Sequence, residues 1–317
     1  MSIRIADLFC GIGGIAEAVH RRPKPTAIGD VSLPSCSQTN QPVIATAIDI
    51  DRSVATLYKS RHGITPRCST IESLDRVSAN ASEDLEMWWM SPPCQPYTRR
   101  GLQLGSKDSR SLALARLIEL IPSAEPRFIG LENVPAFEGS KHHQQLTQTL
   151  CNAGYQFREY KICPTELGIP MRRKRYYLLA KQSGNPLPDF DPSNSAQPLQ
   201  NFIDPASWND AALHVPSDLL QHYQTAMNII DASSPNAVTA CFTSAYGKSP
   251  IKSGSYLHCQ KQNLVRRFSP NEIAKLMGFR ENFFTSSDLG QRSQYRLIGN
   301  SLAVHVVHSL LSILFDE

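Results

Sequence analysis

The sequence predicts an α/β protein built around a doubly wound β-sheet. Three observations favour this class. Short apolar runs typical of buried strands alternate with segments of helical periodicity through about residue 182. One of these runs opens directly into a glycine-rich turn, and another ends in a cysteine framed by prolines. Both features are typical of loops at the carboxyl ends of parallel strands, where open sheets bind ligands.

The predicted elements follow one another in a regular order. Strands are expected at residues 3–9, 43–50, 85–90, 128–131 and 175–181, with helices at 15–20, 53–61, 112–121 and 144–153. Residues 183–198 are rich in proline, asparagine and serine, and a helix start returns at Ser269-Pro270-Asn271-Glu272. We therefore expect a first domain over 1–182, a small loop-rich domain over 183–265, and a return segment, 266–317, that completes the first domain.

Composition sets the broad class. The chain has 317 residues, 41% apolar and 19% charged, which are ordinary values for a soluble globular protein. A net charge of +4 is compatible with a nucleic-acid partner but is also common among metabolic enzymes. The eight cysteines form no CxxC pair and no zinc-finger spacing, which favours a reducing compartment. No signal peptide and no apolar run near about 20 residues is evident, so a cytoplasmic protein without a membrane segment is expected.

A glycine-rich turn follows the first predicted strand, in the order Asp7-Leu8-Phe9-Cys10-Gly11-Ile12-Gly13-Gly14. Glycines between a strand and a helix let backbone amides approach a ligand at the positive end of the helix. Asp49 ends the second predicted strand, where an acid accepts ribose hydroxyls in nucleotide-binding sheets. Alternatively, the turn serves only the packing of the strand against the helix.

The proline-framed cysteine follows the third predicted strand, in the order Ser91-Pro92-Pro93-Cys94-Gln95-Pro96. Prolines restrict their own backbone and that of the preceding residue, so Cys94 is held rigidly at the end of a strand. A small apolar residue in a rigid loop is the alternative, because buried structural cysteines are common. The proline frame favours a functional thiol.

Five motifs, spread over almost the whole chain, occur here in the order seen in the DNA (cytosine-5) methyltransferase family, which this sequence resembles. They are the glycine turn, Pro92-Pro93-Cys94-Gln95-Pro96, Glu132-Asn133-Val134, Arg173-Lys174-Arg175 and Gly299-Asn300-Ser301. The branch of that family that methylates transfer RNA is more similar still. Its features include the run Ser91 to Arg99, Gly168-Ile169-Pro170, the segment Cys241-Phe242-Thr243-Ser244-Ala245-Tyr246, and the ending from Tyr295 to Val307.

The resemblance implies a Rossmann-like S-adenosylmethionine-dependent methyltransferase domain with a small inserted target-recognition domain and an active site in the cleft between them. It implies S-adenosyl-L-methionine as the cofactor, S-adenosyl-L-homocysteine as its product, and no metal. The expected substrate is cytosine-38 in a tRNA anticodon loop. Such a loop is already single-stranded, so exposing the base costs less than in a duplex. A monomer is expected, in the cytoplasm or, for a eukaryotic source, the nucleus.

The resemblance assigns the chemistry to four residues. Cys94 is the nucleophile that adds to carbon-6 of cytosine, which makes carbon-5 reactive toward a sulfonium methyl group. Glu132 supplies the acid at nitrogen-3 of the ring. Arg173 and Arg175 bracket the base, one at its exocyclic oxygen and the other at the backbone or Glu132. Two residues apart on a strand, the arginines would share a face. Taken alone, they would be interpreted as a solvated basic edge.

The remaining site residues fall into two expected sets. The cofactor set is Phe9, Cys10, Gly11, Ile12, Gly13, Gly14, Asp49, Ile50, Ile71, Pro92, Asn300, Ser301 and Val304. The substrate set is Gln95, Tyr97, Thr98, Arg99, Arg100, Lys107, Arg110, Asn133, Arg172, Lys174, Cys241, Phe242, Thr243 and Tyr246, with Arg266 and Arg267 added as phosphate contacts. For each basic residue the alternative is an ordinary surface charge. For the segment 241–246 it is the core of the small domain.

The sequence departs from the branch in three places. The loop at 21–42 is longer than expected, Tyr97 stands where phenylalanine is usual, and Thr70-Ile71-Glu72 lacks the aspartate that many DNA-acting members place near adenine. Two other functions therefore stay open. One is methylation of cytosine in DNA, against which the short middle domain argues. The other is a catalytically inert nucleic-acid-binding homologue, against which the intact Cys94 and Glu132 argue. Which tRNA would be methylated is not evident from the sequence.

Overall fold

The chain divides into two compact units. The computed structural model describes residues 2–20, 41–74, 85–94, 97, 111–192, 195–259 and 263–315. The first unit comprises Met1–Ile162, Lys174–Phe190 and Val307–Glu317, and the second comprises Cys163–Arg173 and Asp191–Val306. The expected boundaries at 182/183 and 265/266 differ from this division. The second unit takes in a segment before residue 183 and continues well beyond residue 265.

The first unit alternates strands and helices, as expected. Its elements are β1 (Arg4–Leu8), α1 (Gly14–His20), β2 (Val43–Asp49), α2 (Ala55–His62), β3 (Arg67–Cys68), β4 (Met87–Met90), α3 (Leu112–Ala124), β5 (Phe128–Asn133), α4 (Lys141–Asn152), β6 (Gln156–Ile162) and β7 (Arg175–Lys181). The α/β fold class is confirmed. The strands β3 and β6 were not expected from the sequence.

These seven strands form one sheet in the order β3-β2-β1-β4-β5-β7-β6. The five strands β3, β2, β1, β4 and β5 pair in parallel, whereas β7 is antiparallel to both β5 and β6. The chain adds β2 and β3 on one side of β1, then returns to add β4 and β5 on the other side. The order therefore reverses between β1 and β4, which is the point where open α/β sheets bind ligands.

Both faces of the sheet are buried near its centre. In β4 the whole run Met87-Trp88-Trp89-Met90 is buried. Trp88 and Met90 face a core shared with α3 and α4, in which Leu117 and Leu146 are fully buried. Strands buried on both sides appear as continuous apolar runs, which is why β4 was evident in the sequence.

The two edges of this sheet differ from its centre. At one edge β3 has only two residues, Arg67–Cys68. At the other edge β6 alternates exposed and buried positions and carries charged side chains that are ion-paired. Arg158 contacts Asp189 (2.7 Å) and Lys161 contacts Glu138 (2.5 Å). This mixture of charged and apolar residues explains why β6 was not recognised as a strand.

The second unit contains a smaller sheet and several short helices. Its strands β8 (Asn228–Asp231), β9 (Ser255–Cys259) and β10 (Leu264–Arg267) pair in the order β10-β9-β8. Its helices are α5 (Ser217–Tyr223), α6 (Pro270–Met277) and α7 (Gln291–Asn300), and the division from the first unit falls in the first turn of α8 (Val304–Phe315). The predicted helix start is confirmed: Ser269 and Glu272 form a capping box at the start of α6.

A buried ion pair lies in the second unit. The Arg266 guanidinium donates to both carboxylate oxygens of Glu272, at 2.7 and 2.8 Å, and lies 4.3 Å from the centre of the Trp208 ring. Both charged side chains are essentially inaccessible to solvent. The expectation that Arg266 contacts phosphate is wrong, because its charge is satisfied inside the unit.

The segment Gln291–Phe315 is helical and apolar enough, by length and composition, to match a membrane span. It is broken into α7 and α8 at residues 301–303, and its apolar side chains are largely buried in the protein. Core helices of soluble proteins meet the same criterion, so composition alone does not indicate a membrane segment here.

Candidate active site

The predicted site residues of the first unit lie together at the carboxyl ends of four neighbouring strands of the large sheet. Pairing across the sheet aligns Ile48 with Leu8, Leu8 with Met90, and Met90 with Leu131. The next residue along each strand is then Asp49, Phe9, Ser91 or Glu132. Because adjacent strands lie about 4.8 Å apart, Asp49 and Glu132 mark the ends of a row about 14 Å long. Cys94 follows a strand within this row.

The glycine turn after β1 requires unusual backbone angles. Gly11 and Gly13 have positive φ values of 49° and 87°, and Phe9 shares this left-handed region at 62°. A Cβ atom on Gly13 would lie 2.3 Å from Nε2 of the buried His62 side chain. His62 also lies 3.3 Å from the Ile12 carbonyl oxygen. Glycine is therefore needed at position 13 for conformation and for space, and His62 supports the turn from within the unit.

Asp49 fastens the glycine turn to the end of β2. Its Oδ2 accepts a hydrogen bond from the Gly11 amide and its Oδ1 accepts one from the Asp51 amide, both at 2.8 Å. Burial raises the pKa of Asp49, and these backbone hydrogen bonds lower it. A carboxylate oxygen can accept a second hydrogen bond, so this positioning is compatible with the expected contact to ribose hydroxyls. The supporting role of Asp49 was not expected from the sequence.

A second acid, Asp7, lies beneath the turn and is fully buried. The Tyr58 hydroxyl donates a hydrogen bond to its Oδ2 at 2.9 Å. Burial is the main cause that raises the pKa of Asp7 to about 8, with the nearby Asp49 charge adding to the rise. Asp7 is therefore protonated at neutral pH and contributes no negative charge to the ligand side of the turn.

The expected cofactor residues of the first unit are not all exposed. Ile50 is 71% exposed and directly follows Asp49, which presents an apolar surface beside the carboxylate. Cys10, Ile12 and Ile71 are buried in the core. Burial raises the pKa of the Cys10 thiol, which keeps it neutral. A cofactor contact at Cys10 or Ile12 would therefore be made by the backbone, as expected for the glycine turn, and the Ile71 side chain is 4% exposed.

The proline-framed turn continues from β4. Ser91 receives a hydrogen bond from the Trp89 indole at 3.0 Å, and its amide donates to the Leu8 carbonyl at 3.2 Å. Pro92 is buried and Cys94 is partly exposed. Asn133, expected as a substrate contact, is buried, and its amide nitrogen lies 3.5 Å from the Pro92 carbonyl oxygen. Asn133 therefore joins the cysteine turn to β5 instead of facing solvent, which corrects that expectation.

The carboxylate of Glu132 and the guanidinium of Arg175 form an ion pair between neighbouring strands. Glu132 lies on β5 and Arg175 begins β7, with 3.3 Å between the Arg175 Nε and the Glu132 Oε1. Both side chains are partly exposed, at 12% for Glu132 and 15% for Arg175. A contact to Glu132 was expected for one of the two arginines of the motif, and this pair holds a carboxyl group at the same end of the parallel strands as Cys94.

Arg173 has a different environment from Arg175 and precedes β7. Its guanidinium donates to three backbone carbonyls of the second unit, those of Phe242 (2.9 Å), Gly299 (3.2 Å) and Ser301. It also lies 3.5 Å from the Cys241 sulfur and is buried. The two arginines therefore do not share a strand face. Arg173 holds backbone segments together, and the resemblance allowed such a backbone contact for one of the two arginines.

The expected substrate residues of segment 241–246 are partly core residues. Phe242 and Tyr246 are buried and pack edge to face with ring centres 5.0 Å apart, and the Tyr246 hydroxyl donates to the Ser255 carbonyl at 2.7 Å. This corrects the expectation of a substrate surface at both positions, because their side chains fill the interior of the second unit. Cys241 and Thr243 are half-buried.

The other expected substrate residues fall into three groups. Arg172 and Lys174 are exposed. Tyr97 is buried, against the expectation of a substrate contact. The remainder lie outside the described residues: Gln95, Thr98, Arg99, Arg100, Lys107 and Arg110.

The expected cofactor residues near the C-terminus belong to the second unit. Asn300 is exposed and ends α7, and Ser301 follows it in an extended conformation. Val304 is fully buried at the start of α8. The Gly299-Asn300-Ser301 motif is therefore the end of one helix and the link to the next. Arg173 fixes its carbonyl groups.

Residues 3–315 match the family described as C-5 cytosine-specific DNA methylase. The chain belongs to this family. The match spans both units, so the inserted segments of the second unit are part of one methylase and not a separate module. The glycine turn, the proline-framed cysteine and the Glu132–Arg175 pair are thus the described candidates for the site of a methylase.

Two relatives differ in the nucleic acid that their names specify. The tRNA (cytosine(38)-C(5))-methyltransferase of Homo sapiens is 27% identical, over 99% of this chain and 99% of that protein. The DNA (cytosine-5)-methyltransferase of Dictyostelium discoideum is 29% identical, over 77% of this chain and 79% of that protein. Among solved structures, the Entamoeba histolytica methyltransferase EhMeth superimposes with a TM-score of 0.86 at 25% identity, covering 100% of this chain and 98% of that one.

Three residues near the site were not identified from the sequence: Tyr58, His62 and His142. Each acts on a predicted residue through a contact that is distant in sequence, Tyr58 on Asp7, His62 on the glycine turn, and His142 on Tyr97. Tyr58 and His62 lie on one helix, four residues apart, and that spacing is the signal that places them together on one face. Nothing in the sequence connects His142 with position 97.

Proposed function

We propose that this methylase transfers a methyl group from S-adenosylmethionine to carbon-5 of cytosine-38 in a tRNA anticodon loop. One structural observation carries the chemistry: a partly exposed cysteine follows β4, and an arginine-paired glutamate lies near the carboxyl end of the adjacent parallel strand β5. As the substrate, tRNA in preference to DNA is supported by the full-length similarity to the human tRNA-methylating relative. The DNA-methylating relative matches over a smaller share of the chain.

Cytosine carbon-5 is a weak nucleophile, and Cys94 changes that. Its thiolate adds to carbon-6 of the ring, and the electron pair of the carbon-5–carbon-6 double bond becomes available at carbon-5. S-adenosylmethionine supplies the electrophilic methyl group, which carbon-5 attacks. Loss of the carbon-5 proton then re-forms the double bond and expels the Cys94 thiolate. The methyl group replaces that proton, which passes to water, and the cofactor would leave as S-adenosylhomocysteine.

Addition of the thiolate places negative charge on the cytosine ring, and the role of Glu132 is to neutralise this charge. A carboxyl group that gives or shares a proton at nitrogen-3 neutralises this charge, a contribution of about 10²- to 10⁴-fold for general acid catalysis. Arg175, 3.3 Å away, orients the carboxyl group and fixes its position at the end of β5. Partial exposure of both side chains leaves room for a base to approach.

The other half of the row fits the cofactor. The glycine turn gives close backbone approach at residues 11–13, Asp49 presents a carboxylate for hydroxyl groups, and the exposed Ile50 offers an apolar surface for a ring. Protonated Asp7 adds no like charge near that carboxylate. The reversal of strand order between β1 and β4 lies between these residues and Cys94, as expected for two ligands that meet at that point.

The deciding experiment measures methyl transfer from labelled S-adenosylmethionine to tRNA and to genomic DNA, both prepared without existing methylation. Label confined to tRNA, at position 38 on sequencing, would support the proposal. Label confined to DNA would place the protein with DNA-methylating relatives and leave the chemistry of Cys94 intact.

A cysteine variant tests the mechanism separately. Cys94→Ala should abolish methyl transfer and leave cofactor affinity within about twofold, because the thiol is required for bond formation and not for holding the cofactor. Cys151→Ala, at an exposed cysteine on α4, is the matched control. Near-normal turnover by Cys94→Ala would exclude the covalent route. The wild-type protein should form a covalent adduct with an RNA that carries 5-fluorocytosine, and absence of an adduct would favour an inert homologue.

A further inference from the structure

Tyr97 is buried beside the turn that carries Cys94. Its side chain is 9% exposed, and its ring lies edge to face against Phe137 with ring centres 5.1 Å apart. Its hydroxyl oxygen lies 2.9 Å from Nδ1 of His142, which is also buried. A tyrosine hydroxyl buried in this way requires a polar partner, and His142 supplies it.

Tyr97 is joined directly to the backbone of the nucleophile. Its amide donates to the Cys94 carbonyl at 3.0 Å, so the backbone at position 97 is tied to that of the cysteine. The beginning of the same turn is held by Asn133, whose amide group contacts the Pro92 carbonyl. The cysteine therefore lies between two fixed points, one before it at Pro92 and one after it at Tyr97.

The surface that receives Tyr97 follows directly from the strand that carries Glu132. The chain leaves β5 at Asn133, the Phe137 amide donates to the Val134 carbonyl at 2.9 Å, and α4 begins at Lys141. Phe137 is fully buried. The segment that places the acid therefore also supplies the ring and the imidazole that hold the cysteine turn.

The hydroxyl adds a restraint that the ring alone does not give. An edge-to-face ring contact tolerates sliding and rotation, whereas a hydrogen bond fixes one atom to within a few tenths of an ångström. Burial is the main cause that lowers the pKa of His142, with the adjacent Lys141 adding to it, so the imidazole is neutral at pH 7. A neutral imidazole can pair with a tyrosine hydroxyl as donor or acceptor.

We propose that Tyr97 and His142 are a positioning pair that fixes the cysteine turn against α4 and so sets the position of the Cys94 sulfur for attack. This proposal rests on the proposed function for its kinetic test. Neither residue touches the base. Both act through the Tyr97 backbone, and their loss changes the fraction of time that the thiol spends in attacking position.

The test compares Tyr97→Phe, His142→Leu and the double variant. Each single change removes the hydrogen bond and should lower kcat by about tenfold, the effect of one net hydrogen bond on the population of an ordered turn. KM for the cofactor should stay unchanged, because the glycine turn is not altered. The double variant should be no slower than the slower single variant, since both changes delete one interaction. His142→Asn retains a polar atom near the Nδ1 position and should recover most of the activity.

Tyr155→Phe is the matched control. Tyr155 is also a buried tyrosine of the first unit, and its hydroxyl donates to the Pro126 carbonyl at 2.6 Å, away from the cysteine turn. This variant should lose stability by an amount similar to Tyr97→Phe while keeping kcat. An equal loss of kcat in both variants would mean that only general stability had changed and would overturn the proposal, as would double-variant effects that multiply.

A second readout does not depend on methylation. The rate at which iodoacetamide alkylates Cys94, followed by peptide mass spectrometry, should change at least threefold in Tyr97→Phe and His142→Leu but not in Tyr155→Phe. Unchanged alkylation in the first two variants would overturn the positioning role even if the wild-type protein methylates tRNA. A changed rate in a protein that methylates neither tRNA nor DNA would support the positioning role and reject the proposed function.

Discussion

One arginine–glutamate pair in the first unit, Arg175–Glu132, and one in the second, Arg266–Glu272, are built differently. In the second unit Arg266 contacts both oxygens of Glu272, and the same carboxylate also accepts hydrogen bonds from the amides of Ser269 and Asp204. In the first unit the Arg175 Nε lies 3.3 Å from the Glu132 Oε1. The Arg266–Glu272 pair is inaccessible to solvent, whereas Arg175 and Glu132 are both partly exposed.

The difference separates an ion pair that holds structure from one suited to chemistry. A buried carboxylate whose oxygens are saturated by donors has no capacity left for a substrate, and it stabilises only if every partner is retained. A partly exposed carboxylate such as that of Glu132 lies where solvent, and therefore a substrate, can approach it. The sequence shows both as arginine and glutamate, so only their surroundings distinguish them.

The largest expected effect is on catalysis at Glu132. Glu132→Gln keeps the shape of the side chain and removes its acid, so kcat should fall about 10²- to 10⁴-fold while the melting temperature changes little. Glu138→Gln, which alters an exposed pair with Lys161, is the control and should leave kcat unchanged. Methyl-transfer assays and thermal melts of the three proteins make the comparison. A large drop in melting temperature for Glu132→Gln would place this pair with the structural one.

The opposite result is expected at Glu272. Glu272→Gln leaves the Arg266 charge buried without a counter-ion and should destabilise the second unit by about 3–5 kcal/mol in urea titrations. Glu281→Gln removes an exposed partner of Lys275 in the same unit and should cost less than about 1 kcal/mol. If the two variants were equally stable, the contacts to Glu272 would carry no special weight and the comparison would fail.

The last effect, which depends on pH, concerns Asp7, a buried acid whose described partner is a tyrosine hydroxyl and not a cation. Its pKa of about 8 exceeds that in an unfolded chain, so between about pH 4 and pH 8 the folded state binds a proton that the unfolded state has released. The contribution of Asp7 to the free energy of unfolding is therefore greatest at low pH. It falls as the pH rises toward 8, by at most about 1.4 kcal/mol per pH unit.

The Asp7→Asn variant isolates this contribution. Asparagine can still accept the Tyr58 hydroxyl but does not titrate, so the stability of the wild-type protein relative to the variant should decline from pH 5 to pH 8. Asp189→Asn, at an exposed position, should show a constant difference. A constant difference for Asp7→Asn as well would mean that Asp7 is ionised throughout this range.

The features predictable from the sequence are those encoded locally. The strand–glycine–helix order, the prolines around Cys94 and the capping box at Ser269 each lie within a few residues and were found. The expected roles of Glu132 and Arg175 came from the resemblance to the DNA (cytosine-5) methyltransferase family. Contacts between distant residues were not predictable, because nothing local to Arg173 indicates that its guanidinium will bind the carbonyls of Phe242 and Gly299. For the same reason, neither the burial of Arg266 nor the hydrogen bond between Tyr97 and His142 could be predicted.

The two edges of the large sheet have a consequence for how this protein behaves in concentrated solution. An outer strand offers unpaired backbone groups to which another chain can add, and the result is aggregation or fibre growth. Here β3 is too short to template such pairing, and β6 presents Arg158, Glu159 and Lys161, whose desolvation would oppose it. Replacing those charges with valine or threonine would remove this opposition and favour the addition of a strand from another chain at β6.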